Sequence, residues 1–208
     1  MTLPSYPRWQ VATKRALDIA GALAGLTVTS PLLVAATLAI KLSSPGPVLY
    51  RWKIAGQYGR PLTSYKLRTM VVNADALKAQ LLAQNEMRGP VFKLRRDPRV
   101  TRIGRILRKT SIDELPQLVS VLKGELSLVG PRPPLQTEYA QFSTVQRQKL
   151  AVKPGLTCLW QISGRNQIAD FDAWLALDLE YIQRWNLLLD LEILLKTVPA
   201  VLRGAGAS

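Results

Sequence analysis

The sequence has no histidine and a single cysteine, Cys158. One cysteine excludes an internal disulfide, and the same scarcity excludes a zinc site built on several Cys or His ligands. A histidine general base is excluded too. Any catalysis must rest on carboxylates, Lys, Tyr, Ser or a bound metal. Acids are also few: 14 Asp and Glu stand against 28 Lys and Arg, a formal net charge of +14. A surface of that sign attracts polyanions, whether nucleic acid, anionic lipid headgroups or phosphorylated small molecules. No low-complexity tract or internal repeat is present, and 208 residues suffice for one compact domain with a membrane anchor.

Against this basic background stands one long apolar run, Leu17 to Ile40, in which Asp18 is the only charge. Its length of roughly 24 residues exceeds the approximately 20 that span a bilayer as a helix. It starts too late and runs too long for a cleavable signal. Lys14 and Arg15 flank one end, and Lys41, Arg51 and Lys53 follow the other, so both flanks satisfy the rule that places Lys and Arg on the cytoplasmic side. Ser30-Pro31 lies near the middle, where proline removes a backbone donor and the serine hydroxyl can bond a freed carbonyl. These features fit a broken helix that bends at Ser30-Pro31 and leaves by the face it entered. A spanning anchor with a proline kink is the alternative.

Ser43 to Pro47 ends this segment in a turn. Val48 to Arg60 reads as short strands around a turn at Gly56 to Gly59, and Leu62 to Val72 as an extended piece. A helix follows from Ala74 to Gln84, with Asn73 as its N-cap. Between Lys93 and Lys109 lie eight basic residues and one acid, Asp97. There Val100, Ile103, Ile106 and Leu107 recur at helical spacing among Arg102, Arg105 and Arg108, a basic amphipathic helix. A second helix is expected from the Thr110 to Pro116 region to about Leu122. Gly124 to Pro134 reads as loop, Gln136 to Lys149 as one polar helix, and Pro154 to Asn166 as loop or short extended chain. Phe171 to Leu202 reads as mostly helical, kinked or ended by Pro199 and stopped at Gly204. The aromatics Trp174, Tyr181 and Trp185 share a helix face, which suits core or a membrane interface.

Asp113-Glu114 is the focus of possible chemistry. The pair follows the arginine run at an expected helix start, where unpaired N–H groups favour anions. Cations nearby would keep Asp113 ionised and nucleophilic, and a carboxylate can attack phosphorus. Ser111-Ile112-Asp113-Glu114 also matches a capping box, so a purely structural role fits the same residues. Arg132, held between prolines in Gly130 to Pro134, suits bidentate phosphate binding or a plain surface turn. Lys66 and Arg68 alternate along an extended piece and share one face, toward phosphate, solvent or headgroups. Ser163-Gly164-Arg165-Asn166 is a weaker polar cluster.

Taken in order, these residues resemble a known family. They are Lys14-Arg15 with Asp18, the proline-broken apolar run, Ser44-Pro45-Gly46-Pro47-Val48, Tyr65 to Met70, Asp97 to Thr101, Leu107 to Gln117, Ser127 to Pro133, and Lys153 to Thr157 through Gly164-Arg165-Asn166. The series is similar to the bacterial sugar transferases, the monotopic polyprenyl-phosphate hexose-1-phosphate transferases, over about Arg15 to Gly204. Two departures stand out: Cys158 replaces a usual glycine, and Pro134 follows Pro133. Some members carry an N-terminal multi-span region that is not expected here.

The resemblance implies a mainly α fold with a small β element. Residues 1–208 would form a single domain, with 17–40 as a re-entrant membrane helix and a compact catalytic part on the cytoplasmic face of the bacterial inner membrane. It implies transfer of a hexose 1-phosphate from a UDP-sugar to polyprenyl (undecaprenyl) phosphate, the first membrane step of surface polysaccharide or glycoconjugate assembly. Asp113 would be the nucleophile, forming an aspartyl-phosphosugar, and Glu114 would hold Mg²⁺. Lys66, Arg68, Arg108, Pro131, Arg132, Pro133 and Arg165 would bind substrate. The partners are UDP-sugar, polyprenyl phosphate, membrane lipid and, in a homodimer, a second copy, with no nucleic acid. The rival reading is a membrane-anchored nucleic-acid-binding protein, motivated by charge alone, whose binding would fall steeply with salt.

Overall fold

A computed structural model describes residues 6–94, 96–163 and 170–202. Helix α1 (Arg8–Ser43) leads into an antiparallel hairpin, β1 (Leu49–Ala55) and β2 (Pro61–Leu67). Then come α2 (Ala74–Leu81), α3 (Arg102–Lys109), a 3₁₀ segment (Ile112–Gln117) and α4 (Leu118–Lys123). Strand β3 (Ser127–Val129), α5 (Gln136–Tyr139), α6 (Thr144–Arg147) and β4 (Gly155–Thr157) follow. The chain closes with α7 (Leu159–Ile162), α8 (Phe171–Arg184) and α9 (Leu187–Leu202). The fold is mainly helical with a small β element, as expected.

Helix α1 runs unbroken through Pro31. It is therefore not divided at Ser30-Pro31, as the sequence suggested. The carbonyl of Thr27 would ordinarily bond the N–H that residue 31 lacks, and the Ser30 hydroxyl donates to it at 2.9 Å. Among the described residues α1 is the one helix long and apolar enough to cross a membrane. Yet its buried positions, Asp18, Ala22, Ala36 and Ile40, lie along one stripe against the folded body. Gly25 permits this approach: a Cβ there would stand 3.1 Å from Leu118. On the other faces Leu17, Leu23, Val28, Leu32, Val34, Leu38 and Leu42 are exposed.

The charges at the start of α1 are structural. Arg15 donates two 2.6 Å hydrogen bonds to the Val121 and Leu122 carbonyls, capping α4. Lys14 pairs with Asp190 of α9 at 2.5 Å and donates to the Val129 carbonyl. Asp18, the acid within the apolar run, accepts from the Ser127 hydroxyl and the Leu128 N–H. At the far end, Ala36 and Ile40 pack with Leu67 and Leu107. Both flanks of α1 are thus fastened to the same body.

The hairpin turns where expected. Gln57–Gly59 form a 3₁₀ turn, with Tyr58 (φ 57°) and Gly59 (φ 77°) in the left-handed region. Asn73 stands at the N-cap of α2 but makes no side-chain capping bond. Three expectations are corrected. The 124–134 loop contains β3, which pairs in parallel with β4. The 136–149 helix is interrupted, because Ser143 caps a new helix with Gln146. The long C-terminal helix breaks at Trp185, and the Asn186 side chain accepts from Leu189 N–H to start α9. Pro199 lies inside α9 without ending it. Gly204 lies outside the described residues. Trp174, Tyr181 and Trp185 are buried, so their stripe is core.

Candidate active site

One cavity of about 420 Å³ opens between the hairpin, the 68–72 segment, α3 with the 3₁₀ segment, and the 132–133 turn. Its wall carries Asp113, Glu114, Lys66, Arg68, Arg108, Arg132, Trp52 and Trp160.

Local backbone sets the carboxylates. Ser111 adopts φ 54°, a left-handed turn between α3 and the 3₁₀ segment. Its hydroxyl caps nothing, so the capping-box reading is overturned. The Glu114 side chain accepts instead from Lys66 Nζ at 2.7 Å and from Arg132 Nη2 at 3.4 Å. Both cations lie over aromatic rings. Lys66 Nζ is 3.6 Å from the Trp52 centroid, and the Arg132 guanidinium lies 5.9 Å from Trp52 and 6.0 Å from Trp160. Register explains Trp52: it alternates with Tyr50, which pairs across the hairpin with Lys66, so the three share a face.

Arg99 lines the cavity but is paired with Asp97 at 2.6 Å, and of the arginines in α3 Arg108 turns inward. It donates from Nε to the Thr69 hydroxyl at 3.0 Å, while Arg102 and Arg105 are exposed. Arg68 also lines the cavity, but its guanidinium donates to the Ser44 carbonyl and hydroxyl and the Pro45 carbonyl, clamping the end of α1. Pro133 reaches the wall. Pro131 does not: it is buried, and its carbonyl accepts from Gly155 N–H at 3.0 Å, joining the turn to β4. Arg165 lies outside the described residues. Sequence spacing alone does not single out Trp52, Tyr50 and Trp160 as cavity residues. The alternation of Tyr50 and Trp52 opposite a strand bearing Lys66 was the available signal.

Asp113 is buried, and this changes its expected chemistry. Burial, reinforced by the Glu114 charge, raises its pKa to about 6, against the opposing pull of Lys66, Arg108 and Arg132. Desolvation therefore outweighs the cations, and Asp113 is mostly ionised only above about pH 6. Burial also pushes the Lys66 ammonium down, and Glu114 opposes that shift. A pH consequence follows. If ionised Asp113 is the reacting group, kcat/KM should rise with pH through about 6 and level off above 7, falling about tenfold per unit on the acid side. A rate profile from pH 5 to 8 checks it, and a flat profile would remove Asp113 from that role.

Cys158, the departure from the family pattern, is buried beside Trp160, and burial pushes its thiol to about 12. It is packing, not a nucleophile. For a divalent metal, the described residues hold no group of three or more Asp, Glu, Cys or His. The adjacent Asp113 and Glu114 nevertheless suit Mg²⁺, which commonly takes one or two carboxylates and completes its shell with water and phosphate oxygens.

The chain is similar to known proteins along nearly its whole length. A family model described as bacterial sugar transferase matches residues 9–204. The chain is 46% identical over 202 residues to the galactosyl transferase CpsE of Streptococcus agalactiae, covering 97% of this chain and 45% of that one. It is 41% identical over 198 residues to the undecaprenyl-phosphate galactose phosphotransferase of Salmonella typhimurium, covering 93% and 41%. It is 43% identical over 209 residues to the UDP-glucose:undecaprenyl-phosphate glucose-1-phosphate transferase of Caulobacter vibrioides, covering 96% and 74%. The chain spans less than half the length of the first two relatives.

Proposed function

Because this chain belongs to the bacterial sugar transferase family, we propose that it moves a hexose 1-phosphate from a UDP-sugar to polyprenyl phosphate. The observation that carries this reading is a buried carboxylate, Asp113, in one cavity with Lys66, Arg108 and Arg132. Asp113 attacks the sugar-linked phosphorus. The bond from that phosphorus to the bridging oxygen breaks, UMP leaves with the electron pair, and a phosphosugar remains on the carboxylate. An oxygen of polyprenyl phosphate then attacks the same phosphorus, forming the lipid pyrophosphate and returning Asp113. Such chemistry depends on positioning and charge neutralisation. Lys66, Arg108 and Arg132 provide the cations, and the two tryptophans orient Lys66 and Arg132. Arg68 acts by holding the loop after α1, and Pro133 shapes the turn. Glu114, with Asp113, would hold a Mg²⁺ that offsets pyrophosphate charge.

Residues 1–208 work as one unit in this reading, at the cytoplasmic face of the bacterial inner membrane. The exposed apolar faces of α1 enter the bilayer. Both flanks stay on one side, because Arg15 and Ile40 are tied to the same body. That arrangement supports a re-entrant helix over a spanning one, a helix that would bend at Ser30-Pro31 while staying helical, and brings the cavity to headgroup height. Galactose and glucose both occur in the relatives' names, and no residue described above separates them.

The test is incubation with UDP-galactose or UDP-glucose and no acceptor. One equivalent of UMP should appear, with a hexose-phosphate mass on the Asp113 peptide, and chelation of Mg²⁺ should suppress both. Turnover only when both substrates are present, with no adduct ever trapped, would overturn the two-step reading.

A further inference from the structure

The cavity wall is of two kinds. Around Asp113 it is cationic. Toward the end of α1 it is largely apolar: Pro47, Leu49, Tyr50, Val71 and Val72 line the cavity and are exposed at the same time, with Asp75 as the acid beside Tyr50. Val72 is 67% exposed. The two halves of this rim lie together, since a Cβ on Gly46 would stand 3.0 Å from Val72 Cγ2. Arg68 holds them so through its bonds to Ser44 and Pro45. Inward of the rim comes Thr69, which accepts from Arg108. Outward, the chain leads back to Leu42 and Leu38, both exposed on α1.

Apart from Tyr50, this rim of valine, leucine and proline offers a nucleotide no polar or stacking contact. An amphiphile with a phosphate head and a hydrocarbon tail matches both parts, charge inside and apolar surface at the mouth. We propose that this rim is the portal for the lipid acceptor. Its phosphate passes inward to Arg108, and its isoprenoid chain lies over Leu49, Val71 and Val72 and runs along the exposed face of α1 into the bilayer. The proposal rests on the transferase reading for the identity of that lipid. It adds that the acceptor's tail meets a wall the donor does not use, so acceptor binding can be weakened separately.

The experiment compares the parent protein with Val72→Asp in lipid nanodiscs. Val72→Asp should raise the KM for polyprenyl phosphate about tenfold or more, the scale of losing one buried aliphatic contact. The donor KM and the adduct formed by donor alone should stay within about twofold. Equal loss in both half-reactions, or an unchanged acceptor KM, overturns the portal. So does a parallel loss of binding to phosphatidylglycerol vesicles, which would make the rim a contact with bulk lipid. A photoreactive polyprenyl phosphate on the parent protein gives an independent reading, with crosslinks expected within 47–50 and 71–72. Labelling confined elsewhere overturns the portal even if sugar transfer is intact. If the parent makes neither adduct nor UMP, the transferase reading falls, and the portal stands or falls on the crosslinks alone.

Discussion

Asp113→Asn is expected to reduce sugar-phosphate transfer by about four orders of magnitude or more while leaving the fold intact. Asn preserves shape and replaces the anionic nucleophile with a neutral, weakly nucleophilic amide. The same change should slightly stabilise the protein. Burial and the Glu114 charge raise the Asp113 pKa from 3.8 to about 6, so the folded state disfavours the ionised form. The sign is that of a raised carboxylate: the destabilisation is present above pH 6 and is relieved as pH falls through that value. Removing the charge should therefore recover about 1–2 kcal/mol at pH 8, a few degrees in Tm. Three nearby cations lose a partner in the variant, which keeps the gain below the full shift. Activity assays beside thermal unfolding at pH 5 and pH 8 check it. A variant that is inactive but melts ten degrees lower at both values would indicate a collapsed site instead of a missing nucleophile.

The second large effect lies behind the cavity. Lys149 and Asp178 form an ion pair at 2.7 Å, each side chain only 1% exposed. Lys149 Nζ lies 4.5 Å from the Trp174 centroid, and Trp174 stacks on Trp160 at 4.5 Å. Asp178 also lies close to Arg132, whose charge and backbone lower its pKa, so the pair sits behind the turn that presents Arg132. Burial already pushes the Asp178 carboxyl up, with Lys149 as the main opposing influence. Lys149→Met would strand that carboxylate in an apolar setting, at a cost of about 3–5 kcal/mol. For a chain of this size the loss is roughly 10 °C in Tm. Lys149→Met with Asp178→Leu should regain much of the stability, because no unpaired charge remains, but not the full activity, because the carboxylate behind the Arg132 turn is gone. A Lys149→Met protein melting with its parent would mean that water reaches the pair.

Much of the fold was legible because its signals are local. The hairpin turn at Gly56 to Gly59, the helix after Asn73 and the basic amphipathic helix around Arg108 each follow from periodicity or turn chemistry over a few residues. Misreadings arose where a short-range pattern had two solutions. Ser111-Ile112-Asp113-Glu114 looks like a capping box, but a left-handed Ser111 sends Glu114 toward Lys66, 48 residues away. Asn186 gives no cap signal in the sequence, because the apolar spacing continues across it. Lys14 and Arg15 looked like topology signals at a membrane flank, and both proved to be spent on partners more than 100 residues away.

By itself the sequence determined the absence of histidine chemistry, the basic charge, the apolar run, the adjacent carboxylates and an ordered series of motifs that resembles one family. These are properties of residue identity and near-neighbour spacing. The tertiary structure alone decided which cations face Asp113, that Arg68 clamps a loop while Arg108 turns inward, that desolvation outweighs those cations at Asp113, and that the cavity opens over an apolar rim. Each of these depends on burial and on partners distant along the chain. Electrostatic and hydrophobic forces act through space, and the spacing of residues along a sequence does not contain that distance.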